Sequence, residues 1–157
     1  MNEFNELGLK EMWPVMEEQL NAGKTVSFRP GGNSMLPLIR PGEDMVVIKQ
    51  AQDKLKKYDL PLYRREDGTF VLHRVVGVKN DTYIMRGDNQ NVREGDIKKE
   101  QILALAIGMY RNGEYISFSG VKYWIYCRMR HFRQELSRVK RVLNFYAKKL
   151  KKFQKKC

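Results

Sequence analysis

Three features of this chain of 157 residues are equipped for chemistry. The first is Ser34, the one hydroxyl in RPGGNSMLPLIRPGE, residues 29–43, a stretch with three of the five prolines and three of the glycines. Glycine permits backbone angles that other residues avoid, and proline locks φ near ~−65°, so this turn is stiff and exposed. A nucleophile is presented that way, and so is an ordinary loop. The second is His73 in TFVLHRVVGV, where strand alternation sets Val71, His73 and Val75 on one face and Phe70, Leu72, Arg74 and Val76 on the other. A lone histidine on an apolar face is ordinarily a satisfied core residue. The third is RGDNQNVREGD, residues 86–96, whose ordinary reading is a tight hairpin with Asp and Asn bonded to their own backbone. The chemistry available to such a set is nucleophilic. A serine hydroxyl attacks only when a base takes its proton. A lysine base starts near ~10.4 and must come down about three units, at ~1.36 kcal/mol each, to work near neutrality. Histidine starts near ~6.5 and is already mostly neutral at pH ~7, but it needs a partner to fix its tautomer and steady the imidazolium.

The elements that must position these residues are mainly β. Residues 5–22 read as a short helix with Leu7, Met12, Val15, Met16 and Leu20 on one side, kinked or shortened at Pro14. Between 24 and 118, seven short segments rich in β-branched and aromatic residues are divided by Gly, Pro, Asn or Asp: KTVSFR, DMVVIK, DLPLYRR, TFVLHRVVGV, DTYIMR, ILALAIGMY and EYISF. They predict a compact, mostly antiparallel β domain, with His73 on a central strand. From Val121 the period changes. Met129, Phe132, Leu136, Val139, Leu143, Tyr146, Leu150 and Phe153 form a heptad stripe among Lys and Arg, a helix of ~33 residues and ~50 Å. The chain thus divides into a β domain over 1–120 and a basic amphipathic extension over 121–157.

In order and spacing, GNSMLPLIRPGEDMVVI, VLHRVVGV and YIMRGDNQ resemble the clan of serine peptidases that holds the signal peptidases and the LexA-type self-cleaving repressors. The resemblance covers Val26 to Tyr110. It implies a LexA/signal-peptidase-like antiparallel β fold and a nucleophile at Ser34, in a Ser-Met-x-Pro turn. The base is a lysine in most bacterial members; archaeal and endoplasmic-reticulum signal peptidases have histidine followed by Arg-Val, and here the residues are His73-Arg74-Val75. The clan's Gly-Asp-Asn turn falls on Gly87-Asp88-Asn89. Histidine-type members carry an acid six residues beyond that Asp, and here it is Glu94 in place of Asp. Asp88 and Glu94 are both candidates to orient His73. The oxyanion and substrate positions are Gly32, Asn33, Ser34 and Met35, with the Ser34 N–H as the natural donor. Many signal peptidases add a hydroxyl two residues before the nucleophile; Gly32 has none, which leaves Asn33 or an N–H freed by Gly31 and Gly32 as candidates to substitute. Substrates are expected as an added β-strand with small side chains in shallow pockets.

Charge divides the chain as the patterns do. Net charge is +12, and residues 121–157 hold 13 of the 30 Lys and Arg but only Glu135 of the 18 acids, so the whole excess lies there. Such a helix suits an anionic membrane surface, a partner helix (its own domain or a second copy), or nucleic acid. Cys127 and Cys157 make no disulfide framework and match no metal motif. The start MNEFNELGLKEMW lacks an apolar signal core, which with the cysteines predicts a cytoplasmic setting, peripheral at most to the inner membrane face. The expectation is therefore a serine endopeptidase with a Ser34–His73 dyad, needing no metal or cofactor, that processes a leader or precursor peptide. The alternative is a non-catalytic binding or regulatory module using its basic helix on membrane or nucleic acid.

Overall fold

The structure, a computed structural model, describes residues 3–51 and 54–154, with side chains over 8–51 and 54–146. Within these residues the fold is mainly β. Helix α1 (Glu3–Asn21) leads into nine strands: β1 (Val26–Phe28), β2 (Met45–Lys49), β3 (Pro61–Arg64), β4 (Phe70–Leu72), β5 (Arg74–Lys79), β6 (Thr82–Arg86), β7 (Glu94–Lys98), β8 (Ile102–Arg111) and β9 (Glu114–Ser117). A long helix, α2 (Gly120–Gln154), follows. The strands form two antiparallel sheets. The larger runs β1-β2-β8-β3-β4, with β9 beside β8, and the smaller runs β5-β6-β7.

The larger sheet is a wall between two cores, because strand side chains alternate faces. Leu62 and Leu72 enter one core with Met35, Ile39, Val46, Ile48 and Met109. Their neighbours Tyr63 and Val71 enter the other with Val75, Tyr83, Met85 and Ile97. Val71 and Val75 thus share a face, as the alternation predicts. The strand itself does not run through, however. It breaks at His73, where the chain leaves the larger sheet and enters the smaller. His73 therefore sits at a crossover, beyond the edge strand β4, and not on a central strand.

Helix α1 closes the first core, along a stripe different from the one expected. Leu9, Trp13, Met16 and Leu20 recur at spacings of 4, 3 and 4 and pack inward. Met12 is 57% and Val15 65% exposed. Trp13 decides the matter: its ring lies 5.5 Å from Phe70 on β4, and this large apolar surface outweighs two smaller side chains. Pro14 lies inside the helix, which continues through it to Asn21. The side chains of Leu7, Leu150 and Phe153 and all of Cys157 lie outside the described residues.

The first turns of α2 pack against the β domain. Cys127 and Gln134 are buried and Tyr123, Tyr126 and Arg130 half-buried, whereas every residue from Leu136 to Tyr146 is exposed. The docked face is largely polar; the expected apolar stripe points away from it. Trp13→Ala should cost about 3–5 kcal/mol in urea unfolding, while Met12→Ala should stay within about 0.5 kcal/mol, the reverse of what the sequence stripe suggests.

Candidate active site

Ser34 is the middle residue of a single 3₁₀ turn, Asn33–Met35. Gly32 before it is extended (φ −88°, ψ 152°), and so is Leu36 after it (φ −61°, ψ 145°). Met35 is buried beside Ile39 and anchors the turn from below, so its side chain serves the core while Gly32 and Asn33 stay exposed. Downstream, the fully buried Asp44 accepts the Arg40 N–H at 2.7 Å and two bonds from the Arg111 guanidinium at 2.8 and 2.6 Å. Arg111 holds that carboxyl below its usual range against the burial that raises it. A 3₁₀ turn leaves the N–H groups of its first residues without an acceptor inside the turn, and Ser34 is one of these.

The turn after β6 closes on Ser34 from the other side. The Asn89 N–H donates to the Ser34 carbonyl at 2.7 Å, and Asn89 Nδ2 donates to the Asn33 carbonyl at 3.3 Å. Gly87 must be glycine for this approach. A Cβ there would lie 2.7 Å from the Ser34 carbonyl oxygen and 3.0 Å from the Ser34 Cβ, closer than real contacts allow. Arg74, next to His73, is paired in register with Arg86, next to Gly87. Residues from all three features line one cleft of about 430 Å³, Ser34, His73 and Asn89 among them, with no hydrogen bond between the Ser34 hydroxyl and the His73 ring among the described residues.

The cleft owes its shape to two strand ends. Phe28 of β1 and Phe70, Val71 and Leu72 of β4 all line it, and β1 and β4 are the two ends of the larger sheet's main path. Their outer edges carry no neighbouring strand of that sheet. Helix α1 touches both, and Leu9 contributes to the lining. Ser34 follows one edge strand and His73 the other.

Neither expected acid contacts His73. Asp88 is buried, and its carboxylate is committed to Arg74, which donates from Nε at 2.8 Å and Nη2 at 2.7 Å, while the Tyr126 hydroxyl donates at 2.9 Å. Glu94 is nearer in effect but acts through Tyr63. Arg65 grips Glu94 with two bonds of 2.7 Å, and the Tyr63 hydroxyl donates to Glu94 at 2.8 Å. The Tyr63 oxygen lies 3.3 Å from His73 Nδ1. Tyr63 has one hydroxyl proton, which the carboxylate takes, so its oxygen accepts from Nδ1–H. This network assigns the tautomer that leaves Nε2 with the lone pair. Burial first, and then Glu94, push the Tyr63 phenol above its ordinary range, so it remains a donor. Arg65 foremost, with Tyr63, holds Glu94 below the usual carboxylate range against burial.

Tyr63 and Arg65 are therefore site residues that sequence reasoning missed. They stand two apart in DLPLYRR, on one face of an extended segment, and that polar pair is the only local sign. Their partner Glu94 opens β7, a strand the sequence hides because EGDIK is polar apart from Ile97, the single buried residue in it. Among the described residues, no group of three or more His, Cys, Asp and Glu is arranged to hold a metal ion.

His73 itself is buried, at 4% exposure. Burial pushes its imidazole down from 6.5 to about 4, against the pull of the Glu94 and Asp88 carboxylates in the other direction. Comparison with family models, curated proteins and solved structures returns no match to this chain.

Two outcomes follow from this geometry. Removing the Asp88 carboxylate strands the buried Arg74 charge, so Asp88→Ala should destabilise by about 3–5 kcal/mol in chemical denaturation. The unfolded chain takes up the His73 proton near 6.5 and the folded chain only near 4. The contribution of neutral His73 is therefore complete above pH 6.5 and lost as pH falls to about 4, roughly 3 kcal/mol at ~1.36 kcal/mol per pKa unit. Denaturation of the wild type and of His73→Gln at pH ~7 and ~4.5 should show this acid loss in the wild type alone.

Proposed function

We propose that the protein is a serine endopeptidase of the signal-peptidase/LexA-like type, with Ser34 as nucleophile and His73 as general base. The observation that carries the reading is the shared cleft: the hydroxyl residue Ser34 and the buried His73 imidazole both lie on the lining of a groove between two strand edges. An extended polypeptide can pair its backbone with such an edge, as a strand added to the sheet. Its side chains would then meet the apolar lining made by Phe28, Leu62, Phe70 and Leu72.

In this mechanism His73 Nε2 takes the Ser34 Oγ proton as Oγ attacks the scissile carbonyl. The imidazolium that forms donates from Nδ1 to Tyr63, whose hydroxyl is polarised by Glu94. Glu94 thus steadies the charge at one remove, and Arg65 keeps it from accepting the proton itself. The oxyanion draws on the Ser34 N–H. His73 then returns the proton to the leaving amine, an acyl-serine remains, and water releases it by the same route reversed. Asp88 locks the turn that packs against Ser34 through its bonds to Arg74. Substrates are leader or precursor segments that reach the cleft in extended form, and the reaction requires no cofactor.

A serine-reactive phosphonate should label wild type at Ser34 and leave Ser34→Ala untouched. A library of extended peptides should be cut by the wild type at least about 10³-fold faster than by Ser34→Ala. Equal cleavage by the two proteins ends the peptidase reading and leaves a strand-binding module. The pH profile carries a further signature. The base must be neutral, so kcat/KM should hold down to pH 5 and fall through about 4, not through the 6.5 of an ordinary histidine. Glu94→Gln removes the charge that raises the His73 pKa, so its acid limb should move lower still, with kcat down about 10- to 100-fold and KM little changed.

A further inference from the structure

Helix α2 carries two opposite faces, and the β domain uses only one. Tyr123, Cys127, Arg130 and Gln134, spaced 4, 3 and 4, turn inward. The Gln134 amide donates to the Gly87, Asp88 and Gln90 carbonyls at 3.1, 2.8 and 3.1 Å. At ~100° per residue the opposite side holds Val121, Ile125, Phe132, Leu136, Val139 and Leu143. These six are 44–74% exposed. They make an apolar stripe about 33 Å long at 1.5 Å per residue. Lys122, Arg133 and Lys140 flank it on one side. On the other, Arg128 lies over the exposed Trp124 ring at 4.5 Å.

The charge on this helix selects what covers the stripe. Its one carboxylate, Glu135, is withdrawn toward the domain, where it accepts from Arg86 at 2.8 Å and Arg93 at 2.6 Å. Burial pushes that carboxyl up, but the two arginines outweigh it and hold it at about 2. The outer face thus offers apolar side chains and cations, with no carboxylate among its described residues. A second copy pairing stripe to stripe would set these cationic rows against each other without the acidic partners that paired helices use. A phosphate backbone would answer the cations and leave the apolar stripe in water. A layer that is anionic at its surface and apolar beneath answers both. Among the described residues no helix is long and apolar enough to cross a membrane, so the match is to a helix lying in the interface plane.

We propose that α2 binds the surface of an anionic lipid bilayer through its outer stripe, with Phe132, Leu136, Val139 and Leu143 in the acyl boundary and Trp124 at headgroup level. This does not rest on the peptidase reading. The test is co-sedimentation of the full chain with vesicles of phosphatidylcholine alone and of phosphatidylcholine mixed with phosphatidylglycerol. The expected result is binding to the mixed vesicles, weakened by salt, little binding to the neutral ones, and a blue shift in tryptophan emission. A Phe132→Glu/Leu136→Glu double variant changes only exposed positions, so it should melt like the wild type and bind the mixed vesicles at least about 10-fold more weakly. Vesicle binding that ignores both lipid charge and the double variant overturns the proposal. So does a dimer in light scattering that the variant dissolves while vesicles go unbound, which would give the stripe to a second copy. Duplex DNA binding in place of vesicle binding would overturn it as well.

Discussion

The site depends on one buried ion pair, Arg74–Asp88. Arg74 follows His73 on the chain, and Asp88 follows Gly87, which packs on Ser34. The pair therefore ties the residue beside the imidazole to the turn beneath the hydroxyl. Two parallel hydrogen bonds fix its orientation as well as its distance. The remaining Arg74 donor, Nη1, goes to the Tyr58 carbonyl, the Tyr123 hydroxyl and the Cys127 sulfur. Arg130 and Gln134 hold the Asp88 carbonyl from α2. A buried charge is tolerable only when so completely satisfied, and the cost of satisfying it is what draws the first turns of the basic helix onto the domain.

His73 is placed by a different compromise. At the crossover between two sheets it is held by backbone on both sides and buried. Burial keeps it neutral, and the chain Glu94–Tyr63–Nδ1 keeps the proton on one nitrogen. The tyrosine relay separates two demands that a direct carboxylate would join. The imidazole keeps a weak, long contact that fixes its tautomer, while the full negative charge stays with Arg65 farther from the core. Glu94 has its side chain engaged with Tyr63 and Arg65, not with His73.

Much of this was legible in the residues. The Gly/Pro-rich stretch around Ser34 forms a turn, and Asp44 with Arg111 ties down the chain just after it. The face shared by Val71 and Val75 follows from alternation. Other parts were not legible, for reasons that can be stated. TFVLHRVVGV reads as one strand because a change of sheet leaves no mark on the period of two. EGDIK does not read as a strand because backbone pairing with β6, not side-chain burial, holds it. In α1, counting apolar residues favoured Met12 and Val15, yet a single tryptophan that could reach Phe70 set the rotation of the helix.

The sequence by itself determined the local terms: strand periodicity, the turn chemistry around Ser34, the length and amphipathy of α2, and the segregation of positive charge into it. These depend on each residue and its near neighbours. The tertiary structure alone decided which groups meet. It gave Asp88 to Arg74 and Glu94 to Tyr63 and Arg65, and it docked α2 by its polar side with the apolar stripe outward. Periodicity reveals that a helix has two faces, but which face is buried depends on the partner surface. Here that surface is a cluster of buried charges and carbonyls that only polar side chains can satisfy.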